Sequence, residues 1–159
     1  MAYAELHCLS NFTFLCGASH AEELVARAHE LGYAALAITD ECSLAGIVRA
    51  HVAAKECGLK LIVGSEIRFS DGPCVVLLAT NRAGYGNLSA LITRGRRSAT
   101  KGRYALSLDD LRDGLPGCLA LLLTDSPPTL EHAQTLAARF PGRAWVMVER
   151  FRAPDDAER

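Results

Sequence analysis

No apolar run in this chain is long enough to cross a bilayer, and Met1 to Leu9 lacks the basic start that opens a secretion signal. A cytoplasmic protein with no membrane partner is therefore expected. An excess of either charge is also missing. Lys and Arg number 17 against 18 Asp and Glu, a formal net charge of -1, so no global field draws the chain onto nucleic acid, and any such binding needs a local patch. The cysteines Cys8, Cys16, Cys42, Cys57, Cys74 and Cys118 never form a Cys-x-x-Cys pair. Several sit in apolar runs, which predicts reduced, mostly buried thiols and no disulfides. No repeat of fixed period and no low-complexity tract is present. The spaced glycines of a nucleotide loop are absent too: Asn81-Arg82-Ala83-Gly84-Tyr85-Gly86 reads as a tight strand-to-helix connection with Tyr85 packed inward.

What the chain does have is a strand-helix rhythm. Its 159 residues, 50% hydrophobic, suit one domain with a sizeable core. Strands are predicted at Ala4 to Leu9, Ala34 to Thr39, Leu59 to Phe69, Cys74 to Thr80, Cys118 to Leu123 and Ala144 to Val148. The third and fourth flank the turn Ser70-Asp71-Gly72-Pro73 and should form a hairpin. Helices are predicted from His20 to Leu31, capped by Ser19; from Ser43 as cap to Gly58; from Arg82 to Arg97; and from Pro128 to Phe140. Ser107 to Leu111 reads as a short capped turn of helix, and Ala153 to Arg159 as the first turn of another. This pattern implies an α/β fold with mainly parallel strands, open or closed into a barrel, whose chemistry collects at the carboxyl ends of the strands.

Three strand ends carry ligand-type residues: His7, the pair Asp40 and Glu41 in the stretch ITDECS, and Glu66 within Gly64-Ser65-Glu66. A nitrogen donor and several carboxylates at one face could hold two divalent ions and a bridging hydroxide that attacks phosphate esters. The plainer alternative is that such residues bond loops and caps. Glu149, after the last strand, could face the same mouth as Glu66. Cys42 has no basic sequence neighbour to lower its pKa and reads as inert. His20, His29, His51 and His132 fall in predicted helices and read as surface or packing residues.

The segments ELHCLSNFTFLCGAS, ALAITDECSLAGIVRAHVAAKECGLKLIVGSEI and LLATNRAGYGNLSALITRGRR resemble the amino-terminal polymerase-and-histidinol-phosphatase (PHP) domain of bacterial C-family DNA polymerases. The error-prone branch, which serves damage-induced translesion synthesis, is the nearest match. The resemblance implies a distorted barrel of seven β-α units, with residues 1–159 forming the front part and the last units lying beyond. The family's His-x-His appears here as His7-Cys8-Leu9 and its Thr-Asp-His as Thr39-Asp40-Glu41, while its Gly-x-Glu is intact. Two imidazoles are thus replaced, one by an apolar chain that binds no metal, so ITDECS reads as the remnant of a centre. The expectation is a non-catalytic scaffold or protein-docking module with no cofactor of its own. The larger polymerase would use magnesium on carboxylates outside this chain. Its remaining domains, accessory mutagenesis proteins, the sliding clamp and DNA are the implied partners. The competing reading is a phosphoesterase holding zinc or manganese on His7, Asp40, Glu41 and Glu66.

Arg94, Arg96, Arg97, Lys101 and Arg103, with Tyr104 beside them, form a local concentration of positive charge. A phosphate backbone would suit them, with Tyr104 as a stacking ring. A solvated face, or a partner surface for acidic groups on the polymerase body, is the expected role.

Overall fold

Strand β2 (Ala35–Ile38) is buried at every position, while helices α1 (Ala21–Glu30) and α2 (Ile47–Cys57) bury one face each. Leu36 and Ile38 meet Val25 and Ala28 of α1 and Ala50 and Ala54 of α2, and Ala37 points to the opposite face, as the two-residue period of a strand requires. This computed structural model describes residues 2–123 and 129–149. The other strands are β1 (Ala4–Glu5), β3 (Lys60–Arg68), β4 (Cys74–Ala79), β5 (Cys118–Leu123) and β6 (Ala144–Met147). Helices α3 (Arg82–Arg97) and α4 (Leu130–Arg139) and a 3-10 turn at Leu108–Leu111 complete the elements.

All six strands form one sheet in chain order. The pairs β1-β2, β2-β3 and β5-β6 are parallel, and β4 alone runs the other way between β3 and β5. Helices cover one face. Under α3 and α4 lie Ile67, Val75, Leu77 and Leu122 with Leu88, Leu91, Leu136 and Phe140, each fully buried Leu or Phe contributing about 1.5–3 kcal/mol. The other face carries Ala37, Val76, Leu78, Leu121 and Leu123. The sheet curls around that face, because His7, just after β1 on one edge, reaches Glu149, just after β6 on the other. The result is a partial, distorted barrel whose bore contains an apolar cavity of about 660 Å³ lined by Leu6, Ile62, Leu78, Leu121, Trp145 and Val148.

Several local expectations need correction. The first strand stops at Glu5 rather than Leu9, because the Thr39 hydroxyl takes the Cys8 N–H (3.0 Å) that a strand carbonyl would otherwise receive. Helix α1 starts after His20, not Ser19: the Glu23 carboxylate accepts the His20 N–H at 2.8 Å, so His20 is the cap and lies outside the helix. Helix α2 starts at Ile47 after Gly46, since Cys42 turns the chain with a left-handed φ of 44° and the Ser43 hydroxyl accepts only the Ala45 N–H within that turn. Tyr85 is exposed, not packed inward. The six thiols form no disulfide among the described residues, but only Cys42, Cys74 and Cys118 are buried. The expected opening of α4 by Pro128 and the expected helical turn at Ala153 to Arg159 lie outside the described residues.

Candidate functional site

The carboxyl ends of β1, β2 and β3 bring His7, Asp40, Glu41 and Glu66 to one rim. Glu41 and Glu66 are joined by an isolated parallel bridge, and the Cys42 N–H donates to the Glu66 carbonyl at 2.8 Å. The side chains, however, do not converge on one point.

Asp40 is 1% exposed and turns toward the loop after β1. Its Oδ1 accepts the Ser10 N–H (2.7 Å) and the Thr13 hydroxyl (2.8 Å), and its Oδ2 accepts the Ser10 hydroxyl (2.6 Å). Behind it the Ser65 hydroxyl donates to the Asp40 carbonyl at 2.7 Å. Glu41 turns the other way, where Oε1 accepts the Tyr104 hydroxyl at 2.7 Å. Burial, and then this carboxylate, raise the Tyr104 pKa. That hydroxyl in turn accepts the Arg68 N–H at 3.0 Å.

His7 lies between two acids. Its Nε2 is 3.0 Å from Glu66 Oε2, and its Nδ1 is 2.5 Å from Glu149 Oε1. Burial alone would lower the imidazole pKa; the bonds to Glu149 and Glu66 outweigh it and push the pKa up from 6.5 to about 9. Burial likewise acts to raise the Glu66 pKa, but His7 and then Arg68, whose guanidinium is 2.8 Å from Oε1, hold it below the ordinary 4.5. The pairing of Glu149 with the mouth of Glu66 is as the sequence suggested, with His7 as the bridge.

A divalent ion needs lone pairs aimed at a common centre. Each ring nitrogen of His7 already has a carboxylate within hydrogen-bond distance, so neither is directed at a common centre with Asp40 and Glu41. The oxygens of Asp40 are engaged by three donors, and Glu41 faces a different cleft. Among the described residues no group of three or more His, Cys, Asp or Glu is arranged to hold a metal ion. As arranged, these side chains do not fit the metal centre that the competing phosphoesterase reading needs at this rim.

The basic cluster is divided. Arg94 pairs with Asp110 (3.1 Å). Arg96 donates to the carbonyls of Cys42 (3.1 Å) and Glu41 (3.3 Å) and lies 5.5 Å from the Tyr104 ring centroid. Arg97, Lys101 and Arg103 are exposed. A base therefore does stand beside Cys42, from a distant part of the chain, yet burial dominates and lifts the thiol to about 11, which keeps it inert. Ser10 and Thr13 were not foreseen. Only their hydroxyls, at the end of the strand neighbouring Asp40, hinted at a role.

Three comparisons bear on this rim. The family model described as the PHP domain matches residues 5–137. An error-prone DNA polymerase of Dechloromonas aromatica is 60% identical over 162 residues, spanning 99% of this chain, and one of Pseudomonas aeruginosa is 60% identical over 158 residues, also spanning 99%. The chain spans only 16% and 15% of those relatives' lengths, matching their amino-terminal part. Among solved structures, a candidate metal-dependent phosphoesterase from Bifidobacterium adolescentis superposes with a TM-score of 0.74 at 15% identity, covering 99% of this chain and 81% of that one. An amidohydrolase from Chromobacterium violaceum gives 0.70 at 19% identity, covering 92% and 77%. At such identities the two structures speak for the fold.

Proposed function

Because the chain belongs to the PHP domain family, we propose that residues 1–159 are the front part of that domain in a cytoplasmic error-prone DNA polymerase for damage-induced translesion synthesis. In this reading the segment is a scaffold for the polymerase body and catalyses no step itself. The DNA-directed polymerase reaction, with magnesium, belongs to carboxylates outside the chain. Accessory mutagenesis proteins and the sliding clamp are the candidate docking partners.

The observation that carries the scaffold reading is the doubly engaged imidazole. Ion pairs and hydrogen bonds at His7, Asp40 and Glu66 tie β1, β2, β3 and the segment after β6 together at one rim, with Asp40 fastening the loop between β1 and α1. Held in that way, the residues act as a clasp on the barrel.

One observation favours a second reading. The fold is shared with a protein described as a candidate metal-dependent phosphoesterase, so a zinc- or manganese-bearing centre on His7, Asp40, Glu41 and Glu66 is the alternative. Elemental analysis of protein purified without chelator separates the two. The scaffold reading expects zinc, manganese and iron well below one per chain. Stoichiometric metal, with a phosphatase activity that Asp40→Asn abolishes, would overturn it. In the full-length polymerase, Asp40→Asn should lower the thermal midpoint while leaving primer extension per folded molecule unchanged.

A further inference from the structure

The loop after β1 is fastened at its root and exposed at its tip. Thr13 N–H donates to the Ser10 carbonyl (2.9 Å), and the Cys16 and Gly17 N–H groups donate to the Thr13 carbonyl (3.1 and 3.0 Å). Asp40 holds Ser10 and Thr13 from beneath. A Cβ on Gly17 would lie 2.0 Å from the Ser10 carbonyl oxygen, so this close approach requires glycine. Yet Phe14 is 83% and Leu15 88% exposed, and Leu15 takes a left-handed φ of 66° that a branched residue seldom adopts. The loop backbone is thus fastened, and Phe14 and Leu15 stand at its exposed tip.

Phe12 and Phe14 share a cleft of about 530 Å³ with Glu41, Arg96, Arg103 and Tyr104. Gly102, at φ 87°, turns the chain so that Arg103 N–H donates to the Thr100 carbonyl at 3.0 Å, placing Arg103 and Tyr104 on the cleft. Arg96 is fixed against Tyr104 and two carbonyls. The cleft is thus lined by Phe12 and Phe14 from the loop after β1 and by Arg96 and Tyr104 from the end of α3 and the chain beyond it. The Arg103 side chain, at the lip, has no hydrogen-bond or ion-pair partner among the described residues. Glu41 reaches the cleft with Oε1 bonded to Tyr104 and, among the described residues, no donor on Oε2.

A ligand matching this lining has a flat ring for the aromatics, an N–H donor for the free Glu41 oxygen and an anion for Arg103. We propose that this cleft binds one nucleotide unit of single-stranded DNA, its base against the aromatic side chains, its exocyclic amino group donating to Glu41, and its phosphate on Arg103. Arg97 and Lys101 extend the positive lip for neighbouring phosphates. The volume suits one base with its sugar and phosphate. An acidic peptide would satisfy Arg103 but brings no planar base to the aromatic side chains. The recognition chemistry stands on the cleft alone; single-stranded DNA as its source rests on the polymerase reading. Glu41 also predicts a preference: adenine, cytosine and guanine carry an exocyclic amino group that reaches beyond the ring, whereas thymine offers only its ring N3–H between two carbonyls that a carboxylate repels.

The test is fluorescence anisotropy with the full 159-residue chain and labelled oligo(dC) and oligo(dT) twelve-mers, over a salt series, with dCMP and a glutamate-rich peptide as competitors. Oligo(dC) should bind about tenfold tighter than oligo(dT), and Glu41→Gln should erase most of that ratio. Phe14→Ser, at an exposed site that leaves the core intact, should weaken both oligonucleotides about tenfold. Arg103→Glu should weaken both and flatten the salt dependence. Competition by dCMP at concentrations matching oligo(dC) would assign the site to free nucleotides, with the same base and phosphate contacts. Equal binding of the two oligonucleotides, wild-type affinity in the variants, no binding, or capture of the peptide alone would each overturn the proposal. Circular dichroism of each variant guards against unfolding, and the metal analysis above is unaffected by any of these outcomes.

Discussion

Ser10 gives both of its donors to one carboxylate: its N–H meets Asp40 Oδ1 at 2.7 Å and its hydroxyl meets Oδ2 at 2.6 Å. Asp40 is buried, so each bond is a charge-assisted contact away from water. Asp40→Asn should destabilise the fold by about 2 kcal/mol, since the amide keeps one acceptor and turns an N–H₂ toward donors. Urea unfolding measures it. A carboxylate kept for an absent cation would behave oppositely, and its neutralisation would stabilise the metal-free protein.

The His7 imidazole should titrate near pH 9 in the folded chain, read from its ring proton shifts by NMR. Because that pKa lies above 6.5, the associated stability is complete below pH 6.5 and is lost as the pH rises through about 9. The loss should be roughly 2–3 kcal/mol by denaturant midpoints at pH 6 and pH 10. Glu66 has the opposite sign: its lowered pKa gives stability that is present above 4.5 and declines as acid is added. His7→Gln should remove the alkaline decline.

Tyr104→Phe keeps the ring under Arg96 and removes a hydroxyl that bonds Glu41 at 2.7 Å and receives the Arg68 N–H at 3.0 Å. A loss of roughly 1 kcal/mol is expected from thermal or urea unfolding. The Tyr104 phenol should also stay protonated well above the usual tyrosine range, visible as a missing step in ultraviolet titration against the variant.

Two glycines of α3 should respond with opposite signs. A Cβ at Gly84 would sit 1.9 Å from the Gly117 carbonyl oxygen, so Gly84→Ala must push the helix off the sheet, at a cost of about 3 kcal/mol. Nothing lies within 4 Å of a Cβ at Gly86. Gly86→Ala should therefore stabilise by up to about 1 kcal/mol through helix propensity alone. Paired melting curves check both.

The parts of this structure that could be read in the residues are those governed by local chemistry. Helix α3 has the predicted bounds because Asn81 caps it, accepting the Gly84 N–H at 2.8 Å, and β5 because six consecutive apolar residues leave little choice. Ser43 misled because a left-handed Cys42 moved the helix start, and backbone angles at a non-glycine residue have little sequence signal. At the rim, residue identities were legible and their orientations were not. Asp40 faces Ser10 and Glu41 faces Tyr104, directions decided by partners 30 and 63 residues away. The same holds for the arginines. Arg94 and Arg96 are taken up by Asp110 and by main-chain carbonyls that no charge count reveals.

The strands lie side by side in the order in which they are translated. A nascent polypeptide can therefore grow this sheet by accretion, each strand docking on the edge laid down just before it. The contact between His7 and Glu149, separated by 142 positions, is the exception and must form after everything between them has emerged. It marks the moment at which the two edges of the curled sheet are first tied to each other.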